Sequence, residues 1–198
     1  MTGKKLYYLI AVIVSVPIAY FGWKLMSRNA YESAAYNVLE SEGPFEQREY
    51  PDLMLVTTAM ESQSSSDGGS FGRLFRYISG NNDDGRKVAM TTPVFMEPQN
   101  QQTDGQMGFV LPQQMAAANI PQPKSETVQI QQRAGGKFAV RRFSGRLDEA
   151  AIADNEEKLR QWIDSKNWSG NEGIEFAGYD PPWTPGPFRR NEVLIRLK

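Results

Sequence analysis

The sequence predicts an α+β fold made of two pseudo-repeated strand–helix–strand units, preceded by an N-terminal transmembrane helix. Three observations carry that prediction. Phe45-Glu46-Gln47-Arg48-Glu49-Tyr50 is echoed by Phe138-Ala139-Val140-Arg141-Arg142-Phe143. Each segment reads as a strand followed by a helix-like stretch and then by two strand-like runs, the order expected of a duplicated unit that closes its sheets around one core, with a groove where the copies meet. Ahead of both lies an uncharged apolar run that starts at Leu6 and ends at Trp23.

That run has about the 18 residues needed to cross a thin bilayer core. Lys4 and Lys5 precede it, Lys24 and Arg28 follow, and Tyr7, Tyr8, Tyr20, Phe21 and Trp23 sit near its ends as interfacial aromatics do. Pro17 is tolerated in a membrane-spanning helix. A run apolar on every face does not suit the surface of a soluble domain. The alternative is a cleaved signal peptide, but the conceivable site at Ser33-Ala34-Ala35 lies far beyond the apolar stretch. The reading is a single-pass anchor over residues 1–28, a linker over 29–35 and a domain over 36–198, with copies at about 36–112 and 126–198. The flanking charges balance, so orientation rests on the lysine-led N-terminus staying inside and the domain standing outside the cytoplasm.

Within the domain, residues 36–42, 45–50 and 53–60 read as strands, with turns at Gly43-Pro44 and Pro51-Asp52. A Ser/Gly loop over 62–70 leads to Phe71, Leu74, Phe75 and Ile78, spaced i, i+3, i+4 and i+7: one apolar helical stripe, with Ser70 as N-cap and Gly80 as stop. Arg73, Arg76 and Tyr77 then project from the opposite face. Residues 88–96 read as a strand that Pro93 places at an edge or a bulge. Another strand spans 107–111, and a Pro-containing connector spans 115–125. Strands at 128–132 and 138–143 flank the Gly135-Gly136 turn. Residues 147–166 form the longest helix of the domain, and 174–179 and 193–197 are the last strands. Between these last two lies a stiff loop over 180–190, rich in proline, with Trp183, Phe188, Arg189 and Arg190.

Composition removes several function classes. A net charge of -1 gives no basic footprint for nucleic acid. The chain has no cysteine, so no disulfide or thiolate site. It also has no histidine, the commonest general base and metal ligand. No catalytic residue or metal site is therefore assigned. Gly68-Gly69-Ser70-Phe71-Gly72 lacks the lysine of a phosphate loop. Asp83-Asp84 and Glu156-Glu157 are sequence neighbours that cannot face one substrate.

Lys87-Val88-Ala89-Met90-Thr91-Thr92-Pro93-Val94, the helix over 71–80, the strand and helix over 138–163, Ala177-Gly178-Tyr179-Asp180 and Asn191-Glu192-Val193-Leu194-Ile195 together resemble the SOUL, or haem-binding-protein, family in order and spacing. The resemblance covers about residues 36–198. It implies a distorted antiparallel β-barrel of two copies, and binding of haem or a related tetrapyrrole in a shallow cleft beside the first helix and the late loop. It implies basic residues for the propionates. With no histidine to offer, iron would fall to Tyr77, Tyr179 or a methionine such as Met90, with nothing in the spacing to choose among them. A metal-free porphyrin or another flat hydrophobic molecule fits the same cleft.

The candidate ligand-binding residues are Arg73, Arg76, Tyr77, Trp183, Phe188, Arg189 and Arg190: guanidinium groups for carboxylates, and aromatics for a flat apolar face. Two other readings stand beside this one. One is a small-molecule hydrolase or drug-binding protein like the gyrase-inhibitor-like relatives of similar duplicated fold, with Glu175 or Glu192 holding the place of its acidic residue. The other is a protein–protein adaptor with no small ligand.

Overall fold

The computed structural model describes residues 31–198 except 61–67, 99–104, 118 and 182. The expected membrane-spanning run from Leu6 to Trp23 lies outside the described residues. Among the described residues no helix is long and apolar enough to cross a membrane.

The strands are β1 (Glu32–Ser33), β2 (Asn37–Glu42), β3 (Phe45–Tyr50), β4 (Leu53–Ala59), β5 (Thr91–Thr92), β6 (Val94–Glu97), β7 (Gln106–Val110), β8 (Val128–Arg133), β9 (Gly136–Phe143), β10 (Glu175–Gly178) and β11 (Asn191–Arg196). The helices are α1 (Gly69–Ile78), the single-turn α2 (Gln113–Ala116) and α3 (Glu149–Ser165). Most of these follow the expected periodicities. The expected strand over 88–96 does not. It is split into β5 and β6 around a cis Thr92–Pro93 bond, and β6 is an interior strand between β10 and β7, not an edge. Pro93 falls between the two strands, where no ladder needs its missing N–H. The stiff late loop contains one 3₁₀ turn, Gly186–Phe188.

β2-β3-β9-β11-β10-β6-β7-β4-β8 form one curled sheet, and every pairing in it is antiparallel. With β2 set aside, this order reads the same from both ends when β3 is matched with β8, β4 with β9, β6 with β10 and β7 with β11. The echoed segments 45–50 and 138–143 are not matched elements in this scheme. They are β3 and β9, hydrogen-bonded neighbours whose register runs from Phe45 opposite Arg141 to Tyr50 opposite Gly136. Their likeness is that of two strands lying side by side on the same surface.

Strand alternation sends side chains to two faces. Tyr50, Leu55, Phe95, Phe138, Val140 and Leu194 pack together on the concave face. Their sequence neighbours turn outward: Val56 and Phe109 pack with Leu74 and Ile78 of α1, while Ala139 and Val193 pack with Leu159 and Trp162 of α3. α3 starts at an Asp148 N-cap whose carboxylate accepts the Ala151 N–H at 3.0 Å.

α1 is rotated from its expected orientation. Leu74 and Ile78 are buried as expected, but so are Arg73 and Tyr77, whereas Phe75 is 52% exposed and Phe71 is exposed at its edge. Arg73 reaches inward because β4 offers it acceptors: its Nε donates to Thr58 Oγ1 at 3.0 Å and its Nη2 to the Ala59 carbonyl at 2.8 Å. Ser70 is not the N-cap. It lies within the first turn and donates to the same Ala59 carbonyl, while Gly68, in the left-handed region at φ 82°, starts the helix.

Two corners hold the ends of the sheet together. The β3–β4 and β8–β9 links cross where Tyr50 pairs with Gly136 and Leu53 with Arg133. Gly135 lies so close to the other corner that a Cβ there would come 2.5 Å from the Tyr50 carbonyl oxygen, and its N–H donates to Asp52 Oδ1 at 2.7 Å. Backbone cannot swing aside as a side chain can, so Gly135→Ala is expected to destabilise the domain by about 1–3 kcal/mol. A denaturant midpoint matching that of the unsubstituted protein would contradict this account of the corner.

Candidate functional site

The concave face is apolar at its centre and polar at both ends, and the two ends differ. At one end Arg48 of β3 and Glu192 of β11 are fully buried. Arg48 Nη1 donates to Glu192 Oε2 at 2.7 Å and Nη2 to Oε1 at 2.9 Å, a two-pronged pair. Arg48 Nε donates to Glu46 at 2.6 Å, and Arg142 also pairs with Glu46. Tyr179 donates its hydroxyl to Glu192 at 2.9 Å, and Arg190 Nη2 reaches Glu192 at 2.7 Å. The Arg48 guanidinium lies 4.2 Å from the centre of the Tyr36 ring, and that of Arg190 3.9 Å from the centre of Tyr179. Burial pushes the Glu192 carboxyl up, but Arg48 and Arg190 outweigh it and hold the carboxyl below the usual range. This end is filled.

At the other end a cavity of about 280 Å³ opens. Leu55, Phe95 and Gly108 give it an apolar floor, and Glu97, Gln106 and Gln131 line its polar part. Arg133 and Glu175 form an ion pair at its wall, at 2.7 Å. The Arg133 guanidinium lies within 4.5 Å of the Phe95 and Phe138 ring centres. Arg196 donates to the Gly135 and Ala134 carbonyls, both at 2.6 Å. Glu97 follows the Phe176–Met96 pair in the β10–β6 register and so stands across from Glu175. Partial burial, then the like charge of Glu175, raise its pKa, with Arg133 and Arg196 acting in the other direction.

The two ends occupy matched places in the sheet. When the corners are aligned, Tyr50 corresponds to Arg133, Arg48 to Gln131 and Glu192 to Gln106. The ion pair of the filled end is thus answered at the open end by a glutamine pair, with Gln106 Nε2 donating to Gln131 Oε1 at 3.2 Å.

The residues singled out in the sequence form two groups, and neither lines this cavity. Arg73, Arg76 and Tyr77 belong to α1 on the convex side, around a shallow dimple of about 20 Å³. Tyr77 is buried and donates its hydroxyl to the Pro121 carbonyl at 2.8 Å, and burial pushes its pKa up to about 12. Tyr179, also buried, is raised well above the usual tyrosine value. Neither phenol is poised to become the phenolate that iron prefers. Met90 packs under α1. In the second group Trp183 and Phe188 stand out from the loop, 73% and 64% exposed. Beside them Arg189 Nε donates to the Thr184 carbonyl at 2.8 Å. Arg190 turns inward to the filled end. Of the two candidate acids, Glu192 lies in the buried ion pair and Glu175 at the cavity wall. Among the described residues no group of three or more Asp or Glu is placed to hold a metal ion.

Sequence reasoning missed Glu97, Gln106, Gln131, Arg133 and Arg196. One signal was available: they are polar residues at strand positions whose neighbours two away, such as Phe95, Gly108 and Leu194, face the core.

A family model described as "SOUL heme-binding protein" matches residues 31–196. Heme-binding protein 1 of Xenopus laevis is 29% identical over 156 residues, covering 75% of this chain and 81% of that protein. Heme-binding protein 1 of Mus musculus is 28% identical over 180 residues, covering 87% and 90%. Among solved structures, an uncharacterized conserved protein from Listeria innocua superposes with a TM-score of 0.57 at 9% identity, covering 78% of this chain and 92% of that one. The EcmrR C-terminal domain superposes with a TM-score of 0.52 at 10% identity, covering 82% and 98%. At such identities these two structures speak to the fold alone.

The filled end predicts a pH dependence. Because the folded pKa of Glu192 is lowered, its stabilisation is complete above the unfolded carboxylate value of about 4.3 and is lost as pH falls through the folded value. Arg48→Met is expected to cost about 3–5 kcal/mol at neutral pH, since it leaves Glu192 buried without its main partner. The difference between variant and parent should shrink in acid, and urea unfolding at neutral and acid pH measures both. Equal losses at the two pH values would count against this assignment.

Proposed function

The chain belongs to the SOUL heme-binding protein family, and from that membership we propose that it is a non-enzymatic tetrapyrrole-binding protein. It takes haem or a metal-free porphyrin against an aromatic and arginine surface, with no histidine to iron. The observation that carries this reading within the family frame is the late loop. Trp183 and Phe188 are large, flat and exposed on a proline-stiffened segment, beside Arg189. Exposed aromatic side chains offer a porphyrin face its apolar contact at little ordering cost, and guanidinium suits a propionate. Arg190 braces the loop through Glu192, Arg73 fixes α1 to β4, and Tyr77 ties α1 to the connector at Pro121.

The matched strand order supports a reading of the domain as two copies, at about 36–112 and 126–198. The run from Leu6 to Trp23 is the proposed single-pass anchor, with the domain outside the cytoplasm.

Two experiments test these proposals. Haemin added to the full chain is expected to give a saturable Soret shift without the spectrum of imidazole ligation. Trp183→Ala combined with Phe188→Ala is expected to weaken binding about tenfold, with the fold intact because both side chains face solvent. Absence of saturation, or equal affinity in the double variant, overturns the site. Alkaline carbonate extraction is expected to leave the full chain in the membrane pellet; release into the supernatant overturns the anchor.

A further inference from the structure

The loop between β10 and β11 is built as a stiff apolar tip. Residues 181–188 carry no charge. Trp183, Pro185, Pro187 and Phe188 are all exposed. The backbone beneath them is fixed by its own hydrogen bonds. The Thr184 N–H donates to the Pro181 carbonyl at 3.0 Å, and the Phe188 N–H to the Pro185 carbonyl at 2.9 Å. From the neighbouring turn the Gly145 N–H donates to the Gly186 carbonyl at 3.0 Å, and Asn191 Nδ2 holds the Gly145 carbonyl at 3.0 Å. Two large rings kept in water by an ordered loop mark a surface of contact with a partner or a membrane. Because the loop is already ordered, contact costs little further conformational freedom.

Two observations choose lipid as that partner. The first is composition. Tryptophan and other aromatic rings settle at the headgroup level of a bilayer, and here no charged residue stands among them to oppose it. The second is where the chain enters the domain. Glu32 and Ser33 pair with Thr91 and Thr92. Val94, next along that edge, lies opposite Gly178, from which the loop rises. At the other foot of the loop Arg190 Nη2 donates to the Tyr36 hydroxyl at 3.2 Å. The incoming segment thus runs past both feet of the loop. Seven residues separate Tyr31 from Trp23, a tether of at most about 30 Å when fully extended. On so short a tether even a weak contact with the same bilayer is favoured by effective concentration.

We propose that the tip of this loop, through Trp183 and Phe188, docks on the surface of the bilayer that holds the chain, with both rings at the headgroup level. The proposal rests on the anchor reading of Leu6 to Trp23. It describes the loop without a porphyrin, since lipid and porphyrin claim the same two rings and exclude each other.

The test uses the full chain in phosphatidylcholine vesicles with no haemin. The chain has no cysteine of its own, so Phe188→Cys carries a single environment-sensitive dye. Ala134→Cys is the reference: it is exposed and lies beyond Gly136, at the end of β9 away from Phe143, which stands opposite Asn191 at the loop. The chain is expected to float with the vesicles. The dye at 188 is expected to shift to the blue and to be quenched by lipid carrying a nitroxide near its headgroup, about 5–10 Å deep at most, while the dye at 134 is not. Adding Trp183→Ser to the chain labelled at 188 is expected to remove most of that quenching. Equal emission and quenching at 188 and 134 in a chain that floats overturns the docking and leaves the anchor standing, with the tip open to a protein partner. Undiminished quenching after Trp183→Ser also overturns it, because the dye alone would then account for the contact. A chain that does not float overturns the anchor, and the docking with it.

Discussion

The buried pair between Arg48 and Glu192 is the constraint on which the rest of the concave face depends. Two charges removed from water need near-complete hydrogen bonding to be tolerated, and here both carboxylate oxygens and all three guanidinium nitrogens are used. That requirement recruits Glu46, Tyr50, Tyr179 and Arg190, and through Arg190 it reaches the hydroxyl of Tyr36. β3, β10, β11 and the segment before β2 are thereby locked in one arrangement. Replacing such a pair with well-packed apolar residues can leave stability little changed, so its main effect here is on where things sit. It closes one end of a nearly symmetric trough and leaves the other open.

Much of the architecture could be read from residue order. Strand runs, turn residues and the long helix all lay close to where periodicity put them. The failures have particular causes. The stripe of Phe71, Leu74, Phe75 and Ile78 is a valid helical face, yet α1 packs on a face shifted toward Arg73 and Tyr77. Open acceptors at Thr58, Ala59 and Pro121 outweighed the burial of two phenylalanines, and no local pattern records such distant partners. Strand pairing was equally hidden. The likeness of segments 45–50 and 138–143 came from lateral contact, while the matched strands β3 and β8 share almost nothing in composition.

The proposed binding surface and the cavity divide in the same way. The loop aromatics were visible because proline, tryptophan and phenylalanine cluster in sequence. The cavity was not, because Glu97, Gln106, Gln131 and Arg133 come from strands that meet only after the sheet has curled. Each looks like an ordinary polar residue of a half-exposed strand. The absence of histidine was the firmest sequence observation. The burial and hydrogen bonding of Tyr77 and Tyr179 extend it, since these two phenols are committed to other partners.

One feature of β2 bears on how the protein behaves when crowded. This outermost strand shows Val38 and Leu39 to solvent and, among the described residues, has no strand paired on its other side, the kind of edge that invites another chain to extend the sheet. Two devices blunt it. A register shift between Val38 and Glu40 breaks the flat ladder, and Glu40 and Glu42, both bound to Lys166, line the strand with charge. The same carboxylates that clasp α3 therefore act as gatekeepers against fibrillar growth, which makes the tip of this strand a point where solubility and helix docking are set by one pair of side chains.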